Sequence, residues 1–126
     1  MARVTCCSLS KLKAIQEPGD VNLFIVRNPK GDVQGLTVFS YLAPSSELYS
    51  FAMENKSNPN WWDVYKEAFE LELDSRDKQI GLQIVQDYLM QEMNVNLVCY
   101  CGNPEYCHRS LVGNRLKEMG CEVRIL

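Results

Sequence analysis

This 126-residue sequence lacks the features of a membrane or secreted protein. Its longest apolar stretches, such as Val21–Val26 and Val95–Tyr100, have the length of strands, whereas a membrane-spanning helix needs about 20 apolar residues. Residues Met1–Cys7 carry one positive charge and then a short apolar run, unlike a secretory signal peptide. We therefore expect a cytoplasmic protein with no membrane partner.

An excess of basic residues is also missing. Thirteen Lys and Arg residues stand against sixteen Asp and Glu residues, which gives a formal net charge of −3. Proteins that hold nucleic acid mainly through its phosphates carry a strongly basic surface. A local basic patch would still permit nucleic-acid binding, but the charge balance does not favour it.

Cysteine, in contrast, is abundant, with six residues in a chain that is 46% hydrophobic. A chain of this length and composition can bury a core without the help of disulfides. In a reducing compartment the cysteines are then expected to be buried thiols, metal ligands or reactive groups.

The order of the apolar segments predicts a single α/β domain over residues 1–126. Apolar runs predict strands at Arg3–Cys7, Val21–Val26, Asn94–Cys101 and Cys121–Leu126. Helical spacing predicts helices at Ser8–Gln16, after Pro44, after Asn60, at Ser75–Met93 and at Glu105–Met119. This alternation predicts a mainly parallel sheet of about four strands with helices on both faces, a Rossmann-like three-layer arrangement. The stretch between Asp32 and Pro44 shows no periodicity and is expected to be a loop.

One segment places several reactive side chains at the end of a predicted strand. The strand ends at Cys101, Gly102–Pro104 turns the chain, and a helix is expected to begin near Cys107. Ligands bind beyond the carboxyl ends of parallel strands, and the first turn of a helix offers unpaired N–H groups to an anion. A thiol at Cys107 should therefore have a lowered pKa. His108 would carry a proton, and Arg109 would hold phosphate or carboxylate.

This segment resembles the family of domains of unknown function numbered 488. The resemblance rests first on Cys99-Tyr100 and Cys107-His108-Arg109, within Leu97–Ser110. Upstream it includes Arg27 and Pro29 after an early strand, and Tyr65 in a helix. It also includes the segment Tyr41-Leu42-Ala43-Pro44-Ser45, which precedes the helix before that of Tyr65. It covers most of the chain, and the Cys-His-Arg element is its specific part. The position after Cys99-Tyr100 is often a glutamate in that family but is Cys101 here. Any role of that glutamate as a general base or cation ligand is therefore lost or changed.

The preferred hypothesis is a binding protein for a phosphorylated small molecule, such as a nucleotide or a nucleotide-derived signal that it sequesters. The resemblance and the strand-end positions together select the ligand-binding candidates Arg27, Tyr41, Ser45, Tyr100, Cys101, Arg109 and Ser110. The arginines would clamp phosphate, and Tyr41 or Tyr100 would pack on a base. Ser45 is also expected to cap a helix.

Two alternatives stay open at this point. In the first, Cys107 is a nucleophile and His108 its proton partner, in hydrolase or transferase chemistry on a nucleotide or modified base. In the second, Cys99, Cys101, Cys107 and His108 bind zinc and stabilise an interaction module. Their spacing differs from that of a zinc knuckle, so we predict no metal and no cofactor. Binding is preferred because Glu105 is the one acidic residue within the motif.

Overall fold

Five parallel strands form the centre of the structure, a computed structural model that describes residues 2–29 and 35–126. The strands are β1 (Val4–Ser8), β2 (Val21–Phe24), β3 (Thr37–Val38), β4 (Val95–Cys99) and β5 (Val123–Ile125). The helices are α1 (Leu9–Ile15), α2 (Ser46–Asn55), α3 (Trp61–Glu72), α4 (Arg76–Met90) and α5 (His108–Glu118). Every strand pair is parallel, in the order β3-β2-β4-β1-β5. The predicted α/β architecture is therefore confirmed.

The two faces of the sheet are covered unequally. On one face, alternate strand residues such as Cys6 and Leu97 pack into a large core with residues of α2, α3, α4 and α5. On the other face, Cys7, Phe24 and Val98 form a smaller core with α1. Burial on both faces explains why these strands are continuous apolar runs. Within the described residues, no helix is long and apolar enough to cross a bilayer.

The structure differs from the prediction in two places. The stretch between Asp32 and Pro44, which was expected to be a loop, contains β3, and the two residues of β3 pair with Leu23 and Phe24 of β2. Residues 30–34, which include the start of this stretch, lie outside the described part of the chain. The predicted helix Glu105–Met119 is interrupted, because a 3-10 turn at Pro104–Tyr106 is followed by Cys107 in an extended conformation with φ −139° and ψ 140°. Helix α5 therefore begins at His108, close to the position that the sequence indicated.

The parallel pairing brings the ends of β2 and β4 to one edge of the sheet. Phe24 of β2 lies in register with Val98 of β4. The residues that follow these strands, Arg27 on one side and Cys101 on the other, therefore come to the same edge. This is the edge at which parallel sheets bind ligands.

Candidate functional site

A cleft of about 640 Å³ opens at the carboxyl ends of β2 and β4. Its polar and aromatic lining comprises Arg27, Asn28, Ser46, Tyr49, Ser50, Lys56, Trp61, Tyr65, Tyr100, Tyr106 and His108, together with Cys99, Cys101 and Cys107. None of the described lining residues is acidic, although the chain as a whole has a net charge of −3. A second depression, of about 370 Å³, lies on α3 among acidic side chains and contains none of the predicted site residues.

Three thiols meet at the inner side of the cleft. Cys99 ends β4, Cys101 follows two residues later, and Cys107 precedes α5. The sulfur of Cys107 lies 3.1 Å from that of Cys99, and the sulfur of Cys101 lies 3.7 Å from the carbonyl oxygen of Tyr106, the residue before Cys107. Cys99 and Cys107 are almost fully buried, whereas Cys101 is partly exposed. The loop between strand and helix thus joins the three sulfurs into one cluster.

Hydrogen bonding within this cluster makes the three thiols unequal in acidity. A hydrogen bond from Cys107 lowers the pKa of Cys101 to about 5, against the opposing effect of burial. The same donor lowers the pKa of Cys99, and the charge of Arg109 adds to the effect. Hydrogen bonding with these thiols, together with burial, raises the pKa of Cys107. The expectation of a lowered pKa at Cys107 is therefore wrong, because its buried position among other thiols favours the protonated form.

His108 is held in one tautomer by the main chain. Its Nε2 lies 2.8 Å from the carbonyl oxygen of Ile25, and a neutral imidazole can bond a carbonyl only through an N–H group. Nδ1 is then the unprotonated nitrogen, and it faces the sulfur of Cys107 at 3.9 Å. Burial lowers the pKa of His108 to about 4, so the ring is neutral at neutral pH. His108 can therefore accept a proton through Nδ1.

Arg109 lies beneath the loop and outside the cleft lining. Its side chain is fully buried, and its guanidinium donates to the carbonyl oxygen of Cys101, to the sulfur of Cys99 at 3.2 Å and to the main-chain oxygen of Leu126 at 3.0 Å. These bonds use Nη1 and Nη2, whereas Nε is buried without a hydrogen-bond partner among the described residues. In this arrangement Arg109 positions the thiol loop and does not line the cleft.

Three other predicted residues also lie away from the cleft lining. Tyr41 packs edge-on against Phe39. The hydroxyl of Ser45 donates to a carboxylate oxygen of Glu72 and accepts a hydrogen bond from the main-chain N–H of Leu48 at 3.2 Å, so its predicted capping role is confirmed. The hydroxyl of Ser110 donates to the carbonyl oxygen of Pro104. Of the ligand-binding candidates, Arg27, Tyr100 and Cys101 line the cleft.

Several lining residues were not predicted from the sequence. Lys56 follows the last turn of α2, and Tyr106 lies in the loop just before Cys107. The ring of Tyr106 lies 5.7 Å from Trp62 and 6.4 Å from Trp61, measured between ring centroids. The position of Tyr106 inside the Cys-His-Arg segment could have indicated that it lines the cleft. No local sequence feature indicates the same for Lys56, because α2 reaches the cleft only through tertiary packing.

The described residues contain no group of three or more His, Cys, Asp and Glu side chains placed to hold a metal ion. The zinc alternative draws no support from the geometry.

Comparison with known sequences bears on the family. No curated protein and no solved structure matches this chain significantly. Residues 7–120 match the model of DUF488-N3a, described as the active DUF488-N3 subclade. The matched range contains every site residue considered above, including the Cys-His-Arg element. The chain therefore belongs to the DUF488-N3a family.

Proposed function

We propose that the cleft binds a phosphorylated small molecule that carries an aromatic ring, of which a nucleotide is the best example. The observation that carries this proposal is the lining, in which two cations and several aromatic rings occur without an acidic side chain among the described residues. An anion would meet favourable charges there even though the whole protein is acidic. A volume of about 640 Å³ also suits a ligand of this size.

Each part of such a ligand has a matching part of the lining. The guanidinium of Arg27 is exposed at the end of β2, where its Nε donates to the carbonyl oxygen of Pro44 at a long 3.4 Å. Its other donors can pair with phosphate oxygens in the bidentate manner typical of arginine. The rings of Trp61, Tyr100 and Tyr106 offer faces on which a base can stack. A cytoplasmic location belongs to the same proposal, since six cysteines in a chain with an apolar core suit a reducing compartment.

Replacing Arg27 by alanine is expected to weaken binding of a nucleoside monophosphate by about 1.5–3 kcal/mol, the usual contribution of a charged hydrogen bond. Calorimetry with a set of nucleoside monophosphates, and with the same nucleosides lacking phosphate, measures this. The nucleosides should bind weakly and should not distinguish Arg27→Ala from the wild type. Arg76→Ala on α4, outside the cleft lining, is the matched control and should bind as the wild type does. Equal affinity of Arg27→Ala and the wild type would contradict the proposal.

A second candidate is an enzyme in which the thiol cluster attacks the bound molecule. Its specific support is the contact between Cys107 and the unprotonated Nδ1 of His108, whose ring is oriented by the carbonyl of Ile25. A nucleophile, a base and a group that orients the base are the parts such catalysis requires. The description of the family as an active subclade accords with this candidate.

Prolonged incubation separates the two candidates. If the protein only binds, chromatography after release should return each nucleotide unchanged. If it is an enzyme, the wild type should consume a nucleotide, and Cys107→Ser should bind it with similar affinity but not consume it, because a serine hydroxyl is rarely ionised without a strong base. We expect the unchanged nucleotide. Turnover that depends on Cys107 would replace the binding proposal by the enzymatic one.

A further inference from the structure

The three cysteines at the inner side of the cleft have a chemistry that ligand binding does not use. Cys107 is the common neighbour, since its sulfur lies 3.1 Å from that of Cys99, and the sulfur of Cys101 lies 3.7 Å from the carbonyl oxygen of Tyr106, which precedes Cys107. The sulfur atoms of a disulfide are about 2.05 Å apart. Side-chain adjustment of roughly an ångström would therefore allow Cys107 to form a disulfide with Cys99.

Access to the cluster is graded. Cys101 is partly exposed and lines the cleft, whereas Cys99 is 1% and Cys107 3% exposed. A small reagent that enters the cleft from solvent therefore meets the sulfur of Cys101 first. Cys107 also lines the cleft, but its side chain is almost fully buried.

We propose that Cys99, Cys101 and Cys107 form a thiol–disulfide centre in which Cys101 reduces a hydroperoxide and Cys107 closes the resulting disulfide. This activity is independent of the nucleotide proposed for the cleft. It uses the two features that distinguish reactive from inert cysteines, namely exposure and thiolate character. Cys101 has both, because it is partly exposed in the cleft and hydrogen bonding lowers its pKa.

The first two steps balance as follows. The thiolate of Cys101 attacks one oxygen of the hydroperoxide, the O–O bond breaks, and an alkoxide or hydroxide leaves and takes up a proton. Cys101 is then a sulfenic acid, oxidised by two electrons. The sulfur of Cys107 attacks the sulfur of Cys101, and the hydroxyl group leaves as water with the proton of Cys107. In total, two thiols and one hydroperoxide give a disulfide, an alcohol and water.

A third step moves the disulfide inward. The sulfur of Cys99 attacks that of Cys107, a disulfide forms between these two residues, and Cys101 leaves as a thiolate. The sulfur with the lower pKa is the better leaving group in such an exchange, and the pKa of Cys101 is low. Arg109, whose Nη1 lies 3.2 Å from the sulfur of Cys99, favours the attacking thiolate. A dithiol reductant would reverse the oxidation by the same kind of exchange.

The experiment uses hydrogen peroxide as the oxidant and no nucleotide. After treatment, the remaining thiols are blocked with N-ethylmaleimide and the protein is digested with a protease that cleaves after glutamate. Cleavage after Glu92, Glu105 and Glu118 places Cys99 and Cys101 in the peptide 93–105 and Cys107 in the peptide 106–118. We expect these two peptides to be linked, and dithiothreitol to release them. Blocked, unlinked peptides, or a link to peptides that contain Cys6, Cys7 or Cys121, would overturn the proposal.

Two variants test the assigned order of events. Cys101→Ser should lose the linked pair, because the oxidant no longer meets an accessible thiolate. Cys107→Ala should also lose it, and its Cys101 should become labelled by dimedone, which traps sulfenic acids. Cys121→Ser is the matched control, since Cys121 is also partly exposed, and it should form the linked pair as the wild type does. Undiminished linkage in folded Cys101→Ser would overturn the role of Cys101. If either variant does not fold, fragmentation of the linked wild-type peptides early in the oxidation decides the proposal, which requires Cys107 to be joined first to Cys101; a first link to Cys99 would overturn it.

Discussion

Arg109→Met is expected to lower the free energy of unfolding by about 3–5 kcal/mol, because three acceptors lose their charged hydrogen bonds at once. Three acceptors lose their donor in this variant: the carbonyl of Cys101, the sulfur of Cys99 and the main-chain oxygen of Leu126. A buried acceptor without a partner costs roughly 1–3 kcal/mol; the Cys99 sulfur is buried and the two carbonyl oxygens are partly buried. Methionine fills much of the space but donates no hydrogen bond. Urea unfolding of the wild type and the variant measures the difference.

The control for this prediction is Arg115→Met. Arg115 pairs with Asp74 at 2.9 Å, but the carboxylate of Asp74 is mostly exposed. Ion pairs of this kind contribute only about 0–1 kcal/mol, so the control should unfold almost as the wild type does. If Arg109→Met instead unfolded like the wild type but bound nucleotide more weakly, Arg109 would contact the ligand, as the sequence alone suggested.

Phe69→Ala is expected to cost about 3–5 kcal/mol of stability, the usual range for a phenylalanine removed from a core. Phe69 is completely buried. Its ring stacks on Tyr65 with the ring planes 2° apart, and it meets the ring of His108 edge-on at 5.7 Å between centroids. The substitution therefore leaves a cavity between α3 and the beginning of α5. Urea unfolding measures the loss of stability. The control is Phe51→Ala on α2, because the ring of Phe51 is only half-buried. Its effect on stability should be clearly smaller.

The same variant should change the titration of His108. Burial holds the pKa of this residue at about 4, and a cavity beside the ring would admit water and favour the protonated form. The pKa should therefore move up toward the value of about 6.5 seen for exposed histidine. The chain has one histidine, so a proton NMR titration follows this group without ambiguity. An unchanged titration in a destabilised Phe69→Ala would show that Phe69 does not shield His108 from water.

The prediction of the fold succeeded where the signal was local. A strand covered on both faces must be apolar at successive positions, and Val95–Cys99 shows this directly in its sequence and burial. The strand β3 was missed, because two residues are too few to show a period and their pairing with β2 depends on distant segments. The interruption before α5 was missed for a related reason, since the extended backbone of Cys107 lies in a segment that also suits a helix.

The cleft lies at the sheet edge that the sequence indicated, but only some of the predicted ligand-binding residues line it. Arg27 and Arg109 both follow strands and look equivalent in the sequence. In the structure Arg27 is exposed in the cleft, whereas Arg109 turns beneath the loop to reach Leu126. The direction of a side chain at the second position of a helix depends on what packs against that helix, and that information is not local.

By itself, the sequence determined the parallel α/β architecture and the edge of the sheet at which the cleft lies, because both follow from apolar periodicity and from the order of strands and helices. Tertiary structure alone decided which side chains line that cleft. It placed Arg109 under the loop, brought Lys56 to the cleft, and set the sulfur of Cys107 within 3.1 Å of that of Cys99. These outcomes depend on distances between side chains from different elements, on burial and on shared hydrogen bonds. Such quantities exist only once the chain has folded.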